Sequence, residues 1–144
     1  MSVTDHRPPF RFAVRTRVGF DETDARGIVY YGRYMPYFDR ARVEYLRHLG
    51  LLRPESGGAE FVMRAQHVEY HAPARFDDEL EVFVRVCRLG RTSVTWEFEA
   101  VNAVSDEHLA TATQTAVYVA DRRPVRVDDA VRAAVVEFDT AVES

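Results

Sequence analysis

Hydrophobic and polar side chains alternate from Phe10 to Phe20. Phe10, Phe12, Val14, Thr16, Val18 and Phe20 fall on one face of an extended chain, and Arg11, Ala13, Arg15 and Arg17 on the other. Successive strand residues point to opposite faces, so this pattern predicts a strand with one buried face. The alternation breaks over residues 21–32, DETDARGIVYYG, where two glycines and three acidic residues predict a loop. Tyr34, Tyr37, Phe38, Ala41, Tyr45 and Leu49 then recur at helical spacing, with Arg40, Arg42, Glu44 and Arg47 mostly off that face. Pro36 suits the first turn of this helix, where its missing N–H costs nothing, and Gly50 suits a left-handed C-terminal cap.

Residues 51–60, with Ser56, Gly57 and Gly58, predict an irregular connection. Four strand-like segments follow. Residues 61–72 alternate imperfectly, which suggests a bulge. Leu80, Val82, Val84 and Val86 share a face in 79–89, and Val94, Trp96, Phe98 and Ala100 share one in 92–103. In 108–120, Leu109, Val117 and Val119 share a face with three threonines. A closing helix is marked by Asp128 as cap and by the stripe Val131, Ala134, Val135 and Phe138. Short connections between strands predict an antiparallel meander of all four, since a parallel sheet needs long crossovers. The long apolar helix then belongs against one face of that sheet. The expectation is a single α+β domain over 1–144, a helix wrapped by a curved antiparallel sheet, with residues 1–9 a loose lead-in.

Composition narrows the functional classes. The chain has 144 residues, 47% hydrophobic, and a formal net charge of −4 with no long basic run, which argues against nucleic acid or an anionic membrane as the main partner. One cysteine, Cys87, rules out an intrachain disulfide and suits a reducing compartment. The N-terminus lacks a signal-type apolar stretch, and no window approaches the roughly 20 apolar residues of a membrane helix. A cytoplasmic protein without a membrane span is the expectation.

The candidate chemistry lies in the loop. Asp21, Glu22 and Asp24 precede Gly27 and Gly32, with Ile28-Val29-Tyr30-Tyr31 between the glycines. The first turn of a helix exposes unpaired N–H groups and the positive end of its dipole, which can polarise a carbonyl and stabilise an oxyanion. Gly32 would let a substrate approach that backbone. A nearby carboxylate could attack the carbonyl or activate a water. The same residues would also serve a turn and a helix cap, and the loop alone leaves both readings open.

The segment Phe20 to Tyr34, FDETDARGIVYYGRY, with Phe38-Asp39-Arg40-Ala41-Arg42, Glu44 to Arg47, Glu69 to Leu80 and Arg88 to Ser93, resembles the 4-hydroxybenzoyl-CoA thioesterase family, which includes the Tol–Pal-associated acyl-CoA thioesterases. The resemblance implies the hotdog fold, a five-stranded antiparallel sheet around a long helix. It implies a homodimer or homotetramer with sites at subunit interfaces. The implied substrate is a short aliphatic or aromatic acyl-CoA thioester, with no cofactor beyond the coenzyme A that is part of it. It places the catalytic carboxylate on Asp24 and the carbonyl-polarising backbone N–H on Tyr31. Gly27, Tyr30, Gly32 and Tyr34 become substrate-binding residues, and Arg91 and Ser93 lie near the CoA nucleotide. Where many Tol–Pal-linked members have histidine, this chain has Tyr31, so a histidine side-chain role is absent there. Acyl-carrier-protein thioesters and a non-catalytic acyl-thioester-binding role remain as alternatives.

His67, Glu69 and His71 would share a strand face, but residues four apart on a strand lie roughly 13 Å from each other, so no shared metal ion is expected. His48, near a helix C-terminus, and Cys87 read as structural. Arg88 and Arg91 read as turn arginines unless a phosphate lies near them.

Overall fold

The computed structural model describes residues 2–52 and 59–144, so the connection expected around Ser56, Gly57 and Gly58 lies outside the described residues. The elements in chain order are β1 (Ser2–Val3), β2 (Phe12–Arg17), α1 (Tyr34–His48), β3 (Ala59–Tyr70), β4 (Glu79–Leu89), β5 (Ser93–Asn102), β6 (His108–Ala120), β7 (Arg123–Pro124) and α2 (Asp129–Phe138). The strands form one antiparallel sheet ordered β1-β2-β4-β5-β6-β3, with β7 paired to β6. Five strands are long and two, β1 and β7, are two-residue additions. With α1 against its inner face, the sheet has the hotdog arrangement.

The helix forms as its spacing predicts. Tyr34, Tyr37, Phe38, Ala41 and Tyr45 are buried. Gly50 adopts φ +72° and donates to Arg47 O, while Leu51 N–H donates to Leu46 O, which ends the helix in a left-handed turn. The helix aromatics pack on the sheet: the Tyr45 ring meets Trp96 (5.1 Å) and Phe12 (6.0 Å) edge-on, and Phe38 lies tilted against Phe98 at 5.1 Å. Burying each such ring contributes on the order of 2–3 kcal/mol.

Four details differ from the sequence expectation. First, β3 is not part of a meander. Only β4, β5 and β6 follow one another, and β3 pairs with β6 at the far edge. Residues 71–78 cross the end of the sheet to reach β4, a span alternation cannot reveal. The expected bulge in β3 is present, between Met63 and Ala65. Second, the face of β6 turned to the core carries Ala110, Ala112, Gln114 and Ala116, and the threonine-bearing face lies outside. Alanines leave room for the large helix rings, so here size outranks hydrophobicity. Third, Phe10 and Phe20 leave the common face of the first strand. Phe10 joins Ala13, Phe83 and Val101 in a separate cluster, and Phe20 is 78% exposed against Phe76. Both residues lie beyond the ends of β2, where the period-2 geometry no longer applies. Fourth, the lead-in is docked. Val3 pairs with Phe12, Thr4 N–H donates to Arg11 O, and the His6 ring and Arg7 guanidinium each lie 5.4 Å from the Phe83 ring. Arg7 also meets Glu99 at 3.1 Å.

The closing helix returns the chain to the core. Asp139, just past α2 and 4% exposed, accepts hydrogen bonds on Oδ2 from Tyr45 Oη (2.5 Å) and Val86 N–H (2.9 Å). Burial raises the Asp139 pKa, against the opposing pull of those two donors. A raised folded-state pKa means the ionised form is penalised in the fold. Its effect on stability is absent below the unfolded pKa of about 4 and grows unfavourable as pH rises through the folded value. Asp139→Ala, which leaves both donors buried and unpaired, should lose about 2–4 kcal/mol in denaturant unfolding. Asp139→Asn keeps an acceptor and should match or exceed wild-type stability at pH 7. A large loss for the asparagine variant would show that the negative charge itself stabilises the fold.

Candidate active site

The loop between β2 and α1 is more ordered than its composition suggests. Phe20–Glu22 forms a short 3-10 turn, and Thr23 pairs with Val29 in an antiparallel bridge. Asp24 N–H donates to Ile28 O, Gly27 N–H to Asp24 O, and Tyr30 N–H to Glu22 O, so residues 22–30 make a small hairpin. Gly27 sits at its tip with φ +75°, a conformation side chains disfavour. A second 3-10 turn, Tyr31–Arg33, leads into α1. Val29 N–H to Ala74 O and Phe76 N–H to Gly27 O fasten the hairpin to the segment before β4.

The three acidic residues separate into different roles. Glu22 Oε1 accepts from Gly19 N–H (2.7 Å) and from Tyr37 Oη (3.0 Å), which ties the loop to the first full turn of α1. Asp21 offers its backbone carbonyl to Arg33 at 3.5 Å. Asp24 faces Arg26: Oδ1 accepts the Arg26 N–H (2.8 Å), and Oδ2 accepts its guanidinium (2.8 Å). These contacts hold the Asp24 carboxyl below the usual aspartate range, the side-chain bond first and the backbone bond second. The immediate cause of this ionisation is an arginine two residues away. Nothing but the Asp-x-Arg spacing could have signalled it.

At the start of the helix, the N–H groups of Tyr31 and Gly32 meet no acceptor among the described residues. A groove of about 300 Å³ opens beside them, lined by Ile28, Val29, Tyr31, Tyr34 and Tyr70, with Arg26 and His71 also on its wall. Tyr34 is buried, and desolvation lifts its hydroxyl pKa to about 12, so it is a neutral wall. Tyr30 lies outside the lining, with its ring tilted against Tyr31 at 4.5 Å. A Cβ at Gly32 would approach the Tyr30 ring to 2.9 Å, so the glycine lets that ring lie over the backbone.

The structure thus brings Tyr31 and Tyr34 together on one groove. Gly27 shapes the hairpin tip, and Asp24 reaches the groove only through Arg26. Arg91 and Ser93 lie beyond the other end of β4, an 11-residue strand about 30 Å long. One chain does not unite them with Asp24. The sequence reading left out Arg26, Tyr70 and Ile28. Tyr70 carried no local motif of its own and Arg26 only its spacing from Asp24, and a position at a strand end becomes visible only once the chain is folded.

Of the remaining residues, His48 packs between Phe12 and Phe138 (5.2 and 5.5 Å), as a structural residue does. Cys87 is half-buried, with its pKa raised first by desolvation, which makes it an unreactive thiol. His67 and Glu69 are exposed neighbours at 4.0 Å, and His71 stacks on His108. No helix among the described residues is long and apolar enough to cross a membrane.

The family model of the thioesterase superfamily matches residues 26–107, more than half the chain. The chain belongs to the thioesterase superfamily. Acyl-CoA thioesterase YbgC of Haemophilus influenzae is 31% identical over 126 residues, 85% of this chain and 93% of that protein. Acyl-CoA thioester hydrolase YbgC of Escherichia coli is 40% identical over 96 residues, 65% of this chain and 70% of that protein. Among solved structures, a hypothetical protein from Aquifex aeolicus superposes with a TM-score of 0.81 at 32% identity, covering 86% of this chain and 98% of that one.

The electrostatics of the loop are testable without any substrate. In Arg26→Gln the Asp24 carboxyl should titrate upward, toward the ordinary aspartate value of about 3.9, in a carboxyl-carbon NMR titration. An unchanged titration would mean that another group holds the carboxylate ionised.

Proposed function

We propose that this chain is an acyl-CoA thioester hydrolase that uses Asp24 and the backbone N–H of Tyr31. The observation that carries the reading is its similarity to acyl-CoA thioesterase YbgC over 85% of the chain. It is supported locally by an ionised carboxylate on the same short hairpin that delivers two unpaired amide donors.

Three physical steps follow. The Tyr31 N–H, at the positive end of α1, polarises the thioester carbonyl and stabilises the negative charge that develops on its oxygen. Asp24, kept ionised by Arg26, attacks the carbonyl carbon to give a mixed anhydride, or takes a proton from the attacking water. In either case the carbon–sulfur bond breaks: on the base route the leaving sulfur takes the proton held by Asp24, and on the anhydride route it takes one from water, after which a second water hydrolyses the anhydride, releasing the carboxylic acid and freeing Asp24. The aromatic groove beside Tyr31 receives a short aliphatic or aromatic acyl group. Gly27, Tyr30 and Gly32 shape the approach to it.

Arg91 and Ser93 enter this scheme only from a second copy of the chain. β3 is a 12-residue edge strand with Val62 and Met63 exposed, and an edge of that length is a template for pairing. We therefore read the working unit as a homodimer or a tetramer of dimers, in the cytoplasm where coenzyme A is available.

In a panel of acyl-CoA substrates, Asp24→Asn should lose about 10²–10⁴-fold in kcat while keeping the oligomeric state of the wild type by light scattering. Wild-type turnover by that variant would remove Asp24 from the mechanism, and a strict monomer at micromolar concentration would overturn the shared site.

A further inference from the structure

We infer that Tyr70, at the end of β3, is a positioning residue that fixes the amide donors at the start of α1. The inference rests on the thioesterase reading above. Tyr70 Oη donates a hydrogen bond to the carbonyl oxygen of Tyr31 at 3.1 Å. That same carbonyl accepts the N–H of Tyr34, the ordinary bond of the 3-10 turn. Two donors from different elements therefore hold one oxygen. Because a peptide unit is planar and trans, fixing the Tyr31 carbonyl also fixes the Gly32 N–H, which points the opposite way, out of the helix start. The Tyr31 N–H belongs to the preceding peptide and is steadied through the same residue.

Ring packing acts in the same direction. The Tyr70 ring lies 5.4 Å from Tyr34 and 6.1 Å from Tyr31, both edge-on, while Tyr30 packs tilted against Tyr31 at 4.5 Å. Tyr31 is thus flanked by a ring from its own loop and a ring from β3. Without Tyr70, the Tyr31 carbonyl is held by Tyr34 N–H alone, and short 3-10 turns have poorer hydrogen-bond geometry than an α-helix. An oxyanion donor displaced by a fraction of an ångström stabilises the transition state less while binding the ground state nearly as well. Tyr70 lines the groove and bonds the Tyr31 carbonyl through its hydroxyl, so the two contributions can be separated by substitution.

Tyr70→Phe keeps the ring and removes the hydroxyl. With a good acyl-CoA substrate, kcat should fall roughly tenfold with KM within about twofold of wild type, the loss expected when one orienting hydrogen bond is removed. Tyr70→Leu, which also removes the ring wall, should raise KM in addition. As a spectroscopic readout, the carbonyl stretch of benzoyl-CoA bound to Asp24→Asn should move toward its solution frequency when Tyr70→Phe is added. Wild-type kcat in Tyr70→Phe, with Asp24→Asn inactive in the same assay, would overturn the positioning role and leave the thioesterase reading intact. An active Asp24→Asn would sink that reading itself. An unchanged carbonyl frequency in the double variant would also overturn the inference.

Discussion

Glu22 joins the loop to the helix, and the geometry of the candidate site depends on it. Its carboxylate accepts from the Gly19 amide on one side and from the Tyr37 hydroxyl on the other. A loop of this length has many conformations, and ordering each of its residues costs on the order of 1–2 kcal/mol. One carboxylate bonded to both the exit of β2 and the first full turn of α1 removes most of that freedom at a single point. The hairpin of residues 22–30 is then built outward from it, since the Glu22 carbonyl also takes the Tyr30 N–H. Tyr37 contributes because its burial raises the cost of losing its hydroxyl proton, so it remains a donor at every physiological pH. The site is therefore a small structure hung from one anchored acid, with a second acid, Asp24, left free of any structural duty beyond its own turn.

That division explains how three acidic residues within four positions avoid mutual destabilisation. Glu22 is spent on neutral donors, Asp21 offers only its backbone, and Asp24 is neutralised by Arg26 at short range. The guanidinium keeps the carboxylate charged yet remains largely solvent-exposed itself, with 74% of its side chain accessible. Exposed pairs of this kind add little stability, but they move readily when a competing anion or a substrate approaches. Arg26 also forms part of the groove wall, whereas Asp24 does not line it.

Much of the fold was legible from the sequence because strand and helix periods are strong, local signals. Residues 79–89 and 108–120 are strands within those limits, and the long helix runs along the stripe that begins at Tyr34. What stayed hidden was long-range. Alternation says which residues share a face but not which strand lies next to which, so the place of β3 beyond β6 was not readable. It also cannot say which face is inner when, as in β6, alanines line the core and valines and threonines lie outside. Phe10 and the docked lead-in escaped for the same reason: their partners, Phe83 and Glu99, come from strands far along the chain. At the site, the expectation for Asp24 and Tyr31 came from family resemblance, whereas the contact of Tyr70 with Tyr31 became visible only when folding laid the end of β3 across the start of α1.

The separation of Arg91 and Ser93 from Asp24 follows from the same topology. The loop leaves β2 at the end of the sheet where β4 begins, and the hairpin that carries Arg91 lies where β4 ends. No rotation of side chains closes a gap of about 30 Å along a strand. If both ends serve one substrate, the second end must come from another chain. The free edge of β3 is the surface that permits this at low cost, because a two-fold axis across an antiparallel edge pairs the strand with its own copy and reverses its direction. Reversal brings the far end of one subunit alongside the near end of the other. The same edge carries Tyr70 at its terminus, so assembly and donor geometry would be linked through a single strand. An acyl-CoA is long enough to span such a composite site, with the thioester at one subunit's helix start and the nucleotide at the other's hairpin. A monomeric form would then fail in nucleotide recognition before it failed in chemistry, since the carboxylate and the amide donors of each chain are assembled within that chain alone.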